Sequence, residues 1–339
     1  MRTIVIEAFG DPDVLQFQDV EEPVAPAGGY VVSVVTAALN YADLVERRGL
    51  YKRDQPLPMR MGKEAAGIVV ERHPDATEFD VGDPVIVVRF GGGCYAERIA
   101  VEAHEVLRPP RGFSFAEMAS FATAFATAWL SMYEIARVRP GESALIPAAA
   151  GGVGTAAVLL ARSAGCRPLI GTAGGDAKCS VVTDLGADAC VDYLVDDLRD
   201  TVRELTGGRG VDYCLESVGG ETYDRCLDAL APMGRMVIIG FSSIRADYAN
   251  AIHRLHPLTI FQRSISVGGL NLDNLDFSRR RDMWDALVSH VEEHDIRPVV
   301  GRVYPFDEAR VAHTELESRR STGKLVLALD GQAAVVPVA

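Results

Sequence analysis

The sequence lacks the features of several large classes of protein. It has no basic excess, since 47 acidic side chains against 34 Lys and Arg give its 339 residues a formal net charge of −13. Such a chain is repelled by nucleic acid and by anionic membranes, so we expect neither as a main partner. No apolar run approaches the roughly 20 residues of a membrane span, and the first residues do not resemble a signal peptide. We therefore expect no membrane span and a cytoplasmic location.

Cysteine is also sparse. The six cysteines include no C-x-x-C pair, and no histidine stands at ligand spacing from them. This excludes a zinc cluster and a disulfide framework as the basis of the fold. The chain must instead bury ordinary apolar cores, and its length predicts two domains at about 100–200 residues each.

The pattern of secondary structure changes along the chain. The first third is predicted to be β-rich, with Pro and Gly separating short strand-like runs. After Gly141, strands and helices alternate. The strands are predicted at residues 144–147, 168–171, 189–191, 211–215 and 235–239. This alternation predicts a parallel sheet with right-handed crossovers.

The segment AAAGGVG (residues 148–154) stands between the first of these strands and a small-residue helix. A strand, a Gly turn and a helix N-terminus form a binding site for pyrophosphate. Ala149 occupies the first Gly position of G-x-G-x-x-G, which is tolerable if the backbone there needs no positive φ. The alternative is a tight turn without a ligand. We predict a dinucleotide site that includes Ala150, Gly151, Gly152, Val153 and Gly154. A second Gly run, residues 91–93, lies between two strands and is predicted to be a β-turn.

The next strand indicates which dinucleotide is bound. An acid at its end usually accepts the ribose 2′-OH of NAD, but here the strand ends in residues 170–174 without one. Thr172 and Gly174 are therefore predicted to contact the cofactor, and Lys178 to pair with a 2′-phosphate. The alternative is that Lys178 is a solvated surface residue. The missing acid and the nearby cation favour NADPH.

Several motifs in order carry a resemblance to a known family. They are LNYADLVERRGLY (39–51), GKEAAGIV (62–69), VGDPVIV (81–87), TAFATAWL (123–130), AAAGGVG, LGADACVDY (185–193) and STGKLVLAL (321–329). The chain resembles the medium-chain dehydrogenase/reductase superfamily, and specifically its zinc-free quinone oxidoreductase branch, which includes zeta-crystallin-like and vesicle amine transport protein-like members. The resemblance covers essentially the whole chain.

This resemblance implies an α/β fold: a Rossmann-type doubly wound parallel sheet plus a β-rich GroES-like catalytic domain. The catalytic domain would comprise residues 1–125 and 264–339, and the NADP-binding domain residues 126–263. The active site would lie in the cleft between them. The strand predicted at residues 264–268 would pair with its two-fold mate in a homodimer.

Zinc-dependent relatives have G-H-E where this chain has Gly62, Lys63 and Glu64. Because a Lys ammonium has no lone pair for zinc, and no Cys stands near Asn40, we predict no metal. Hydride addition to an alkene conjugated with a carbonyl then needs only hydrogen-bond donors for the developing oxyanion. By resemblance, Tyr51 donates to the substrate and Asn40 touches the nicotinamide ribose or the substrate.

Lys63 is a third catalytic candidate, as a cation that stabilises an enolate. Its alternative role is a structural ion pair with neighbouring acids, and Tyr51 could likewise be a loop anchor. The resemblance also implies cofactor contacts at both ends of the nucleotide domain. These residues are Tyr193, Ser217, Phe241, Ser242, Gly269, Leu270 and Asn271. Thr127, on a small-residue helix, is predicted to hydrogen-bond the nicotinamide, and the alternative is a buried Thr bonded to its own helix.

The predicted function is therefore a metal-free, NADPH-dependent oxidoreductase. Its small-molecule substrate would be an enone, a quinone or an enoyl thioester. The alternative is a protein that binds NADPH without turnover, of the crystallin or vesicle-associated type.

Overall fold

The chain forms two compact units in the computed structural model, which describes residues 1–51, 55–243, 255–276, 280–329, 334 and 338. The discontinuous unit comprises Met1–Thr123 and Leu275–Ala339, and the continuous unit comprises Ala124–Asn274. The first predicted boundary lies beside the observed one. The second, at residue 264, is too early, because the strand Ser266–Gly269 is hydrogen-bonded into the sheet of the continuous unit.

The discontinuous unit is built on antiparallel β-structure. Its strands are β1 (Arg2–Ile6), β2 (Gln16–Asp19), β3 (Tyr30–Ala38), β4 (Met59–Arg60), β5 (Glu64–Arg72), β6 (Pro84–Val88), β7 (Arg98–Val101) and β8 (Val106–Leu107), with β15 (Val300–Pro305) and β16 (Lys324–Ala328) from the last part of the chain. In the described residues the main sheet has the order β15-β16-β3-β5-β6-β8, and β7 also pairs with β3. Strand β3 is rich in β-branched residues and almost fully buried, which suits its central place.

Helices also belong to this unit, one of them only in part. They are α1 (Tyr41–Arg47), α2 (Phe115–Trp129, which runs across the boundary at residue 123), α8 (Arg281–Glu293) and α9 (Ala309–Glu317). Helix α1 starts directly after Asn40, whose backbone N–H donates to the Asp43 carboxylate at 2.8 Å. This capping contact fixes the position of Asn40 at the end of β3.

The continuous unit is an α/β unit. Its strands are β9 (Ala144–Ile146), β10 (Leu169–Ala173), β11 (Ala189–Asp192), β12 (Val211–Glu216), β13 (Leu230–Ile238) and β14 (Ser266–Gly269), and its helices are α3 (Gly152–Ser163), α4 (Asp176–Asp184), α5 (Leu198–Leu205), α6 (Glu221–Asp228) and α7 (Pro257–Arg263). Among the described residues the strands lie in the order β11-β10-β9-β12-β13-β14, all parallel. This is the strand order of a doubly wound dinucleotide fold, and the predicted fold class is confirmed.

Two details differ from the sequence analysis. Strand β13 starts at Leu230, well before the predicted start at residue 235, and helix α7 was not predicted. The Gly run at residues 91–93 does follow a turn, closed by the Gly92 N–H on the Arg89 carbonyl at 3.0 Å. Within the described ranges, no helix has the length and apolarity needed to cross a membrane.

Candidate functional site

The predicted cofactor residues of the continuous unit lie along one edge of its sheet. They follow the carboxyl ends of different strands: Gly151, Gly152, Val153 and Gly154 after β9, Thr172 and Gly174 at the end of β10, Tyr193 after β11, Ser217 after β12, Phe241 and Ser242 after β13, and Gly269, Leu270 and Asn271 at the end of β14. The chain order reverses between β9 and β12, which are neighbours in the sheet. Open α/β sheets bind their ligands at such a switch point, beyond the carboxyl ends of the strands.

The turn between β9 and α3 is shaped to receive an anion. Gly151 is the N-cap of α3, and it offers no side chain to accept the first N–H groups of the helix. These N–H groups carry the positive end of the helix dipole. A Cβ on Gly154 would fall 2.2 Å from the Ala148 carbonyl oxygen, so only glycine allows the helix to pack this closely. The turn therefore fits a pyrophosphate group.

The prediction for Ala149 depends on its backbone. The positive φ of this turn, 49°, belongs to Ala148, and Ala149 is not among the residues with positive φ. Ala149 is fully buried, and its N–H donates to the Thr172 carbonyl at 2.8 Å. Alanine is therefore accommodated at the first glycine position of the motif, as the sequence analysis required.

Three predicted residues lie at or just after the ends of β10 and β11. A Cβ on Gly174 would meet the Tyr193 hydroxyl at 2.6 Å, so the phenol lies directly against this glycine. The ring of Tyr193 is half exposed, at 49%. Lys178 lies in the first turn of α4, and partial burial lowers the pKa of its ammonium. The strand end is closed by Asp192, whose carboxylate accepts the Gly175 N–H at 3.0 Å.

The ends of β12 and β13 also converge. The Ser242 N–H donates to the Ser217 carbonyl at 3.1 Å, and the Phe241 ring lies against Gly219. Sequence reasoning missed Glu216, whose buried carboxylate holds this turn by accepting the Gly219 N–H at 2.8 Å. Burial raises the pKa of Glu216, although its backbone hydrogen bonds oppose the shift.

Thr127 is the remaining predicted cofactor residue. It is buried in α2, and its carbonyl accepts the Ser131 hydroxyl at 2.7 Å. These contacts do not test whether Thr127 touches the nicotinamide, and that contact stays a prediction.

In the discontinuous unit, Asn40 belongs to a buried polar cluster with Glu64 and Lys324. The Asn40 amide Nδ2 donates to the Glu64 carboxylate at 2.9 Å, and the Lys324 ammonium donates to Asn40 Oδ1 at 2.8 Å. Lys324 also forms an ion pair with Glu64 at 2.6 Å. The sequence analysis quoted the stretches that contain Glu64 and Lys324 but gave neither residue a role. No local sequence pattern connects the two residues, because they are 260 positions apart in the chain.

Lys63 lies on a different cluster from its neighbour Glu64. Its ammonium is 2.8 Å from the Glu46 carboxylate, donates to the Phe90 carbonyl at 3.0 Å and lies 4.9 Å from the centre of the half-buried Tyr51 ring. The Lys63 side chain is only 2% exposed. This placement favours the structural alternative, because the ammonium is paired with Glu46. The catalytic role of Lys63 stays a prediction.

Helix α1 carries further buried polar groups that the sequence analysis did not consider. The Tyr95 hydroxyl donates to the Asp43 carboxylate at 2.9 Å. Burial, with a contribution from Glu46, raises the pKa of Asp43 to about 7. Arg47 is fully buried and forms an ion pair with Glu317 of α9. Asp43 therefore has a structural role at the start of this helix. No group of three His, Cys, Asp or Glu residues in the described part of the chain is placed to hold a metal ion.

A doubly wound sheet with an anion-binding turn at its switch point, joined in one chain to an antiparallel β unit, defines a two-unit dehydrogenase or reductase. Two protein families match the chain accordingly. The alcohol dehydrogenase GroES-like domain matches residues 26–126, and the zinc-binding dehydrogenase family matches residues 185–327.

Known proteins are similar to this chain over most of its 339 residues. Quinone oxidoreductase-like protein 2 of Rattus norvegicus is 31% identical over 302 residues, which are 88% of this chain and 84% of that protein. A phenolphthiocerol/phthiocerol polyketide synthase protein of Mycobacterium tuberculosis is 32% identical over 336 residues, or 98% of this chain. This chain spans only 15% of the length of that synthase protein.

Solved structures of similar enzymes have the same fold. Escherichia coli quinone oxidoreductase complexed with NADPH has a TM-score of 0.88 at 30% identity, and an NAD-dependent alcohol dehydrogenase has a TM-score of 0.86 at 31% identity. Each match covers 97% of this chain and 100% of the other. The chain belongs to the medium-chain dehydrogenase/reductase superfamily, in its zinc-free quinone oxidoreductase branch.

Proposed function

We propose that this protein is a metal-independent oxidoreductase that uses NADPH to reduce an activated carbon–carbon double bond or a quinone. The observation that carries the proposal is the turn at residues 148–154, where a helix N-terminus without a capping side chain meets the switch point of the parallel sheet. NADPH supplies a hydride when bound, and the chain's own residues bind and orient the reactants.

The choice of NADPH is supported by the chemistry at the end of β10. Gly174 and Gly175 follow this strand, and Asp192, at the end of the neighbouring strand β11, is occupied with the backbone N–H groups of Gly175 and Leu194. Lys178 is the cation nearest in sequence to this strand end, on the first turn of α4, and it suits a 2′-phosphate. The relatives divide on this point, since one similar structure is described as NAD-dependent and another as complexed with NADPH.

Metal independence is supported by the side chains at the position of the metal ligand. Lys63 offers no lone pair while its ammonium is paired with Glu46, and Asn40 is engaged by Glu64 and Lys324. A carbonyl conjugated with an alkene needs no Lewis acid if hydrogen-bond donors stabilise the developing oxyanion. In this proposal the Tyr51 hydroxyl is that donor and delivers the proton.

We further propose a homodimer in which two β14 strands pair. Strand β14 is the last in the sheet order of the described residues, and the neighbouring helix α7 exposes Leu258 and Phe261, at 50% and 79%. An open strand edge beside exposed apolar side chains is typical of a surface that a partner covers. Light scattering at micromolar concentration tests this, and a monomeric mass contradicts it.

Steady-state kinetics test the proposed activity. The protein, freed of metal by a chelator, is assayed for oxidation of NADPH and NADH with enones, quinones and crotonyl thioesters. We expect turnover with NADPH in at least one acceptor class, with no loss on chelation. Tyr51→Phe should lower enone turnover by about 10²–10⁴-fold, the usual contribution of general acid catalysis, and quinone turnover less. Tight NADPH binding with no turnover would instead support the non-catalytic alternative.

A further inference from the structure

We propose that Glu64 and Lys324 are positioning residues, which fix the Asn40 amide so that it presents one N–H donor to an oxygen acceptor of the bound ligand. This inference rests on the proposed function, in which Asn40 contacts the nicotinamide ribose or the substrate. It extends that function by assigning a task to two residues that the resemblance leaves without one.

The backbone brings the three side chains together. Strand β3 ends just before Asn40, and two of its antiparallel neighbours, β5 and β16, both start there. Ala38 at the end of β3 is paired with Glu64, the first residue of β5, and Lys324 is the first residue of β16. The cluster therefore stands on three hydrogen-bonded strands, which hold it more rigidly than a loop does.

Every polar atom of the two charged side chains in the cluster has a partner. The three N–H groups of the Lys324 ammonium meet the Leu39 carbonyl at 2.8 Å, Asn40 Oδ1 at 2.8 Å and Glu64 Oε1 at 2.6 Å. The second oxygen of Glu64 accepts the Thr123 N–H at 2.9 Å. Both charged side chains are nearly inaccessible, with exposed fractions of 6% for Lys324 and 0% for Glu64. Such a pair is stable only when all its hydrogen bonds are made.

This matching decides the orientation of the Asn40 amide. A Lys ammonium is a donor only, so it selects the Asn40 oxygen, and a carboxylate is an acceptor only, so it selects the Asn40 nitrogen. Rotating the amide by 180° would place N–H against ammonium and oxygen against carboxylate. The amide oxygen is thus occupied, and one hydrogen of Nδ2 has no acceptor in the part of the chain that the structure describes. Asn40 can offer a ligand a donor but no acceptor.

Two kinds of ligand atom would satisfy this donor: a ribose hydroxyl oxygen of the cofactor, or the carbonyl oxygen of the substrate. In the second case, the same N–H stabilises the charge that develops on the carbonyl oxygen as hydride arrives. Both share the chemistry of an oxygen acceptor, and the kinetic constants separate them.

A double-mutant cycle between Lys324→Met and Asn40→Ala tests the proposal. If Lys324 acts through Asn40, Lys324→Met alone should lower kcat/KM by about tenfold to a hundredfold, as a loss of positioning does. In the Asn40→Ala background, it should change kcat/KM by less than about twofold, the usual error of additivity. If the coupling appears in the KM for NADPH, the ribose accepts the Asn40 hydrogen bond. If it appears in kcat/KM for the oxidising substrate, the substrate carbonyl accepts it. Independent, multiplicative losses in the two backgrounds overturn the inference, as does unchanged kinetics in Lys324→Met.

Folding and function are separated by two further variants. Because Lys324→Met leaves a buried carboxylate, the cycle is repeated with the neutral pair Glu64→Gln and Lys324→Met, for which the same coupling is required. Tyr30→Phe is the matched control, since it removes the hydroxyl that accepts the Glu78 and Phe79 N–H groups at the opposite end of β3. It should lower the melting temperature without changing kinetics. If the wild type turns over no acceptor, the proposed function fails, and coupling in the Kd for NADPH then decides this inference alone.

Discussion

His313 makes the stability of the discontinuous unit depend on pH. This residue lies in α9, is fully buried, and has no hydrogen-bond partner for either ring nitrogen in the described residues. Its ring stands edge-on to Tyr95, 5.9 Å between centres. Burial lowers the pKa of His313 from 6.5 to about 3, and the positive charge of Arg47 adds to the effect. The imidazole is therefore neutral in the folded protein at every physiological pH.

The direction of the pH effect follows from which state binds the proton. Below pH 6.5 the unfolded chain protonates His313 and the folded chain does not, so stability is lost as the pH falls from 6.5 towards 3. At pH 5 the loss of stability is about 2 kcal/mol. The pH is then 1.5 units below the ordinary pKa of 6.5 in the unfolded chain, and each unit contributes about 1.4 kcal/mol. Asp43 acts in the opposite direction, since its folded pKa of about 7 exceeds the ordinary 3.8. The wild-type profile is therefore a sum in which the two effects partly cancel.

His313→Leu isolates the histidine contribution. The free energy of unfolding is measured in urea at pH 7.5 and pH 5 through the fluorescence of Trp284, which is buried in the same unit, with Trp129→Phe as background. We expect the variant to gain about 2 kcal/mol on the wild type between the two pH values. The free energy of unfolding of Asp43→Asn should fall relative to that of the wild type between pH 7.5 and pH 5. Parallel profiles for His313→Leu and the wild type would mean that the folded protein protonates His313, and would refute the reasoning.

Three further predictions concern the candidate site. Lys178→Ala should raise the KM for NADPH about tenfold or more while leaving that for NADH unchanged, and equal use of both cofactors by the wild type would contradict the assignment. Gly154→Ala should abolish NADPH binding in a fluorescence titration, because its Cβ would collide with the Ala148 carbonyl, whereas Gly91→Ala, with open space around it, should bind normally. Lys63→Met should lower stability by about 3–5 kcal/mol by removing the cation that pairs with the buried Glu46 carboxylate, and should affect neutral and carboxylated substrates equally. A loss confined to carboxylated substrates would support the catalytic role of Lys63 instead.

The nucleotide-type fold was predictable because its signals are local. Each strand and helix between β9 and β13 shows its own apolar pattern, and the rule for crossovers leaves few ways to assemble them. The same topology places the candidate cofactor residues at one edge of the sheet, since parallel strands bring their carboxyl ends together. Most of these residues came from the resemblance, and their contacts with the cofactor stay predictions. Helix α7 was missed because its Pro and Gln lie in a segment without a clear apolar period, next to residues 244–254, which lie outside those that the structure describes.

The polar clusters of the discontinuous unit could not be predicted, because their members are distant in sequence. The hydrogen bond between Lys324 and Asn40 joins residues 284 positions apart, and the ion pair of Arg47 with Glu317 spans 270. Charge and burial of such residues depend on which strands become neighbours, and no local period records this. The sequence analysis therefore recognised Asn40 by resemblance but not the two residues that hold it.

The adjacent residues Lys63 and Glu64 contact different partners because of the geometry of the strand that they begin. Lys63 and Glu64 are adjacent where β5 begins, and successive side chains of a strand point to opposite faces. Lys63 accordingly reaches Glu46 and the Tyr51 ring, while Glu64 reaches Asn40 and Lys324. The segment that holds a metal ligand in zinc-dependent relatives thus contacts both candidates here: Lys63 contacts Tyr51, the proposed proton donor, and Glu64 contacts Asn40, the proposed hydrogen-bond donor. Its two charges are neutralised by separate partners, so a substitution at Lys63 should leave the orientation of Asn40 intact, and one at Glu64 should leave the Lys63 ion pair intact.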